Sequence, residues 1–201
     1  MKRLVIFLLL CVGFCSAYAE QQYPKYAVGV KGGTTWSMML FNPAVGQPAM
    51  PMTYHAGAQF LMISEKYVGL KVELNYAQKG FKDRYGHRHL DYIELPFMTH
   101  ITFGQKLFRF FINLGPEVAY LIHDNPISAD TQQHSLPVKN RFDYGIVGGL
   151  GFEFNTKTGI YTIDARYNFG LNNVLGNSAS EYFKSSTNQN ITLSLAYLFP
   201  F

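Results

Sequence analysis

Eight charged side chains recur at alternate positions of otherwise apolar segments: Lys71, Glu73, Glu94, Glu117, Asp143, Glu153, Asp164 and Arg166. Carboxylates set beside Lys or Arg can form ion pairs, relay protons or line a path for cations. The six acids outnumber the two bases, even with His100 counted as a third, and in a wet interior that would favour a weakly cation-preferring conduit. In a dry interior the same residues form a network of ion pairs and hydrogen bonds, because buried charges come paired. The network is the expectation here, with some acids protonated or hydrated for want of bases.

Other chemistry is poorly supported. His87 and His89, in "RYGHRHLDY", would share one face of a strand, but no third metal ligand follows at recognisable spacing. The same stretch carries Lys82, Arg84 and Arg88 against Asp83, the make-up of a solvated loop able to touch lipopolysaccharide phosphates. The sequence has no acyl-transfer elbow, phosphate loop or zinc-protease helix motif. No catalysis and no cofactor are expected.

The elements that would position these charges are strands. Period-two alternation marks eight, over residues 26–37, 54–63, 67–80, 90–103, 109–123, 142–154, 160–172 and 191–201. The polar turns 64–66, 104–107 and 155–159 are tight, whereas 38–53, 81–89, 124–141 and 173–190 are longer. Short and long connections alternate, as in a transmembrane barrel with its turns at one rim and its loops at the other. Several strands reach the ~9–11 residues that cross a bilayer at a tilt.

Alternation alone does not say which face points out. Two features favour apolar outside. One face carries Gly, Ala, Asn and Thr with sparse charges, unlike the Lys- and Glu-rich surface of a soluble protein. The other is bulky, drawing on 17 Phe and 14 Tyr, and would overfill an eight-stranded interior. Outward, Leu70, Val72, Leu74, Ile93, Phe97, Ile112, Tyr144, Phe152 and Ile163 would meet lipid. Tyr26, Tyr76, Tyr120 and Tyr197 would form interfacial girdles. Lys71, Glu73 and Asn75, with Gln78 near them, would face in. Gly32-Gly33, Gly148-Gly149 and Gly151 would leave room for bulky cross-strand neighbours or bend a tight barrel.

The two ends fit this scheme. Residues 1–19 combine Lys2 and Arg3, an apolar run over 4–14 and the small-residue site Ala17-Tyr18-Ala19, the pattern of a cleaved secretory signal. Its removal takes both cysteines, Cys11 and Cys15, and leaves a barrel domain over 20–201 with fifteen bases against thirteen acids. That near-neutral balance gives no reason to invoke nucleic acid. The last strand, "ITLSLAYLFPF", would close the barrel on the first and place Tyr197, Phe199 and Phe201 outward. Leu198 and Pro200 would face a polar lumen, and pairing should fray at Pro200.

Glu73-Leu74-x-Tyr76 with Lys79-Gly80, then Tyr92-Ile93-Glu94-Leu95-Pro96 and Gly115-Pro116, resembles the PorT-type outer-membrane β-barrel family of Bacteroidetes. Asp143-x-Gly145-x-x-Gly148-Gly149-x-Gly151, Arg166-Tyr167-x-x-Gly170-Leu171 and Tyr197-Leu198-Phe199 continue the likeness over nearly all of the mature chain. It implies an eight-stranded antiparallel up-and-down transmembrane β-barrel in the bacterial outer membrane. It also implies a C-terminal aromatic assembly signal read by the barrel-assembly machinery. The expectation is thus an all-β, monomeric barrel in contact with lipid and lipopolysaccharide, with a structural or surface-interaction role. A narrow porin-like pore, or an accessory part of a protein-secretion apparatus, is the alternative.

Overall fold

In the computed structural model, residues 26–42, 51–83, 86–105, 107–126, 140–172 and 185–201 are described. They form eight strands: β1 (Tyr26–Asn42), β2 (Met52–Ile63), β3 (Val68–Asp83), β4 (Gly86–Gln105), β5 (Phe108–Pro126), β6 (Phe142–Asn155), β7 (Ile160–Gly170) and β8 (Ser185–Pro200). Each pairs antiparallel with its chain neighbours, and β1 pairs with β8 to close the barrel. Closure satisfies the backbone without open edges, which hydrocarbon demands. Among the described residues no helix is long and apolar enough to cross a membrane; the crossing elements are strands.

Apolar side chains point out and polar ones point in. Val30 and Leu195 are each 65% exposed, and Leu74, Leu114, Ile146 and Leu150 join them in a continuous outward band. Lys31, Glu73, Asn113, Asp164 and Arg166 are buried. A water-soluble barrel would reverse this, since soluble surfaces rarely carry so large a contiguous apolar area. The outward Tyr26 and Tyr120 are exposed, and Tyr76 and Tyr197 are half-buried on the same face.

The strands outrun the apolar alternation that announces them. β8 begins at Ser185, because residues 185–190 pair with β1 from Asn42↔Ser185 to Ser37↔Asn190. Their side chains are polar, so no period-two hydropathy reveals them; main-chain bonds form whatever the side chain. Likewise residues 81–89 are not a long loop. β3 and β4 continue through Gly80↔His89 and Lys82↔His87 to Asp83↔Gly86. Where polar side chains occupy both faces of a strand, alternation has no reason to persist. A bulge opposite Asp91 and Tyr92 adds one residue to β5, since Asp91 pairs with His123 and Tyr92 with Leu121.

Pairing does not fray at Pro200. Pro200 sits opposite Ala27, and the Phe201 N–H donates to the Tyr26 carbonyl at 3.1 Å. Bonding alternates from one flank of a strand to the other. Phe201 bonds toward β1, so the nitrogen of Pro200 faces β7, whose ladder has already ended at Ile160↔Leu198. The missing donor therefore costs no ladder bond.

Candidate functional site

The barrel interior holds the charged residues in tiers. At mid-height Glu73 is the hub. Arg166 donates to both its oxygens, Nη2 to Oε1 at 2.7 Å and Nη1 to Oε2 at 2.8 Å. Lys31 Nζ lies 3.1 Å from Oε2 and Lys71 Nζ 3.5 Å from Oε1. Asn75 Nδ2 donates to Oε2 at 3.0 Å, and Arg166 Nε donates to Asp164 Oδ2 at 2.6 Å. Five charges from β1, β3 and β7 thus meet across the lumen. Two opposing carboxylates hold three cations, a compensated arrangement of the kind burial requires.

Glycine makes this tier possible. A Cβ on Gly149, opposite Arg166 in the β6–β7 register, would stand 2.6 Å from Arg166 Cγ. One on Gly151 would stand 2.6 Å from Phe111 Cζ and 2.3 Å from the Ile163 carbonyl oxygen. The absent side chains give the guanidinium and the Phe111 ring their space. Phe111 in turn lies under Lys71, with Nζ 5.5 Å from its ring, and 5.0 Å from the His100 ring.

Below, toward the short turns, Glu153 forms ion pairs, with Oε1 3.4 Å from Arg109 Nε and Oε2 3.6 Å from His100 Nε2. Arg109 also donates to the Lys66 carbonyl at 2.8 Å and to the Thr102 hydroxyl. His100 Nδ1 lies 2.7 Å from Asn113 Oδ1. Under this tier the interior turns apolar. Ala27, Leu61, Ile160 and Leu198 are buried against one another, with Ile63 beside them. Leu198 therefore does not face a polar lumen; it belongs to an apolar floor formed by β1, β2, β7 and β8 at this end.

Above, Lys79 Nζ pairs with Glu94 Oε1 at 2.7 Å and lies 4.8 Å from the Tyr92 ring. Asn168 Nδ2 donates to Glu117 Oε2 at 2.6 Å, and Asn188 Nδ2 donates to Asp143 Oδ2 at 2.9 Å. Between the upper and middle tiers His55 joins β1 to β8, with Thr35 Oγ1 2.9 Å from Nδ1 and Ser194 Oγ 3.0 Å from Nε2.

All eight charged residues predicted from the alternation are buried in the lumen, as is His100. The sequence reading missed four more: Lys31, Lys79, Arg109 and His55. They change the balance, because five Lys and Arg now face the six acids among the described residues. The excess of acid that favoured a cation conduit is nearly gone. Parity could have found them. Val28 and Val30 point out, so Lys31 must point in, but the glycines around it blur the alternation. Lys79 and Arg109 fell at the expected strand ends, where their facing was not weighed. Gln78 is the converse case. It shares the parity of Leu74 and Tyr76 on the outer face, where its Nε2 donates to Asp91 Oδ1 at 3.2 Å. The side chain of His87 lies outside the described residues, and among those described no group of three His, Cys, Asp or Glu could hold a metal.

At the C-terminus Tyr197 packs 5.0 Å from Tyr161 and donates its hydroxyl to the Thr158 carbonyl at 2.5 Å. Phe199 and Phe201 are exposed on the outer face, and the Phe201 ring stacks 6.0 Å from Tyr26.

A closed eight-stranded barrel with an apolar exterior and a charged, compensated interior defines a bacterial outer-membrane β-barrel protein. The family profile described as outer membrane protein beta-barrel domain matches residues 19–176, and the chain belongs to that family. Among solved structures it is similar to the outer membrane protein OprG of Pseudomonas aeruginosa, at 14% identity and a TM-score of 0.58, covering 91% of this chain and 100% of that one. It is also similar to Ail, the attachment invasion locus protein of Yersinia pestis, at 11% identity and a TM-score of 0.48, covering 87% and 99% of the two chains. The N-terminal β-barrel domain of Pseudomonas aeruginosa OprF matches at 11% identity and a TM-score of 0.48, covering 88% and 100%. No curated protein matches the chain. The likeness to OprG is one of fold.

Proposed function

We propose that this protein is a structural or surface-interaction barrel with a sealed lumen, without catalytic activity and without solute transport. The observation that carries this reading is the filling of the interior. The apolar floor of Ala27, Leu61, Ile160 and Leu198 and the cross-lumen cluster around Glu73 occupy successive levels. Such packing supports a scaffold, not a conduit. What the scaffold then offers its surroundings is its outer rim, where residues 43–50, 127–139 and 173–184 join the strands. Connecting segments on a rigid barrel are the usual place for recognition. Lipopolysaccharide is the partner closest to hand, and the protein acts as a monomer. On this reading residues 1–19 are an export signal cleaved after Ala19, and Tyr197, Phe199 and Phe201 address the chain to the barrel-assembly machinery. The finer PorT-type assignment, with the secretion role of that family's name-giving member, rests on motif likeness alone.

Reconstitution in planar bilayers tests the reading. Folded protein at high occupancy should give no stepwise currents. Reproducible unitary conductance would replace it with the pore alternative.

A further inference from the structure

Among the described residues, two buried carboxylates in the upper tier have no cationic partner of their own. Glu117 is held by the Asn168 amide and Asp143 by the Asn188 amide. Lys79, the cation that lines the same cleft, is committed to Glu94 at 2.7 Å. Glu94, Glu117 and Asp143 against Lys79 leave a formal charge of −2. Buried charge on that scale calls for compensation.

The cleft itself shows what is missing. Asp143, Glu117, Asn168, Asn188 and Asn190 line it beside Lys79. Gly145 and Gly170 pair across β6–β7 on the lumen side and line it as well. About 10 Å³ is open to the centre of a water-sized sphere, room for one water or one monatomic ion. Asp143 Oδ1, Asn168 Oδ1 and Asn190 Oδ1 are buried without a hydrogen-bond partner. Asp143, Asn168 and Asn190 are 4%, 7% and 2% exposed. The Asn168 orientation is fixed, because its amide N–H is spent on Glu117, which leaves its oxygen unpartnered. Asn168 and Asn190 are also direct register partners on β7 and β8. The buried, unpartnered atom of each of these three residues is thus an oxygen acceptor. An anion would need donors, and a soft metal would need His or Cys. Carboxylates completed by amide oxygens are the donor set of a hard cation.

We propose that this cleft is a binding site for one divalent hard cation of the Ca²⁺ or Mg²⁺ class, held by Asp143, Glu117, Asn168 and Asn190. One such ion balances the −2 and engages the unpartnered oxygens. It ties β5, β6, β7 and β8 together near the loop-bearing end of the barrel.

Equilibrium dialysis of the full mature barrel, folded in detergent micelles, with ⁴⁵Ca²⁺ tests the site. One ion per barrel is expected, with affinity near the about 10⁻⁴–10⁻³ M of extracellular calcium sites and displacement by Mg²⁺. Asp143→Asn and Glu117→Gln, checked for folding by heat-modifiable gel mobility, should each weaken binding by about tenfold or more, as loss of a ligand charge does. Asn190→Ala removes an oxygen without changing charge, and should weaken binding less. Absence of bound ion up to about 10⁻² M, an order above that range, overturns the proposal. So does unchanged binding in the folded variants, or a stability gain obtained only by acidification with no ion bound.

Discussion

Substituting Glu73→Gln tests whether the lumen is as dry as its packing implies. Glu73 is 1% exposed and its carboxylate meets Lys31, Lys71, Arg166 and Asn75. Gln has nearly the same volume, so no cavity opens and the charge alone is removed. The mid-lumen cluster of three cations and two anions changes from +1 to +2, with Asp164 the remaining anion. The new amide also points donors toward groups that can only donate. Removing one partner of a buried ion pair costs about 3–5 kcal/mol, because the other charge stays buried and uncompensated. Here three cations share the loss, so that range is the expected destabilisation. The assay is reversible urea unfolding in phospholipid vesicles, followed by the fluorescence of Trp36, the single tryptophan. Pairing Glu73→Gln with Arg166→Met returns the cluster to +1, two cations against one anion. The double variant should therefore be more stable than Glu73→Gln alone, a non-additivity read from the double-mutant cycle. A Glu73→Gln barrel within about 0.5 kcal/mol of the parent, the range of surface substitutions, would refute the reasoning and show a hydrated lumen.

Leu195 faces out at the level of Gly32, beside Lys31 near the middle of the wall. Leu195→Arg should cost about 2–4 kcal/mol in vesicles, the penalty for a charge on the lipid face at the midplane. No change in the unfolding midpoint would mean that this face meets water. Phe201 stacks on Tyr26 and supplies the last main-chain bond to β1. Deleting it should lower the folded protein recovered in outer membranes while leaving export across the inner membrane intact. Normal outer-membrane levels of that variant would remove the assembly role from the C-terminal aromatic.

Within the apolar segments, period two was enough to identify eight strands, their order and the inward face of Glu73, Glu94, Glu117, Asp143, Glu153, Asp164 and Arg166. A one-residue slip would turn every such side chain to the other face, so alternation over ten residues leaves one solution. The bulk of the outer face settled its direction as well, because large aromatics do not fit inside eight strands. Hydropathy was silent where both faces of a strand carry polar residues. The Ser185–Asn190 stretch of β8 and the Asp83↔Gly86 end of β3–β4 therefore emerged only from the ladder. Partnership was hidden for a different reason. Glu73 and Arg166 are far apart in the chain, and their bidentate contact depends on barrel closure and on the space above Gly149. The inward turn of Lys31, Lys79 and Arg109, which nearly neutralises the lumen, follows the same period two but is masked by glycines and strand ends. Alternation along one strand fixes which way a side chain points. Which charge it meets across the lumen is set by strand tilt, stagger and the glycine gaps of the closed wall, and these exist only in the tertiary structure.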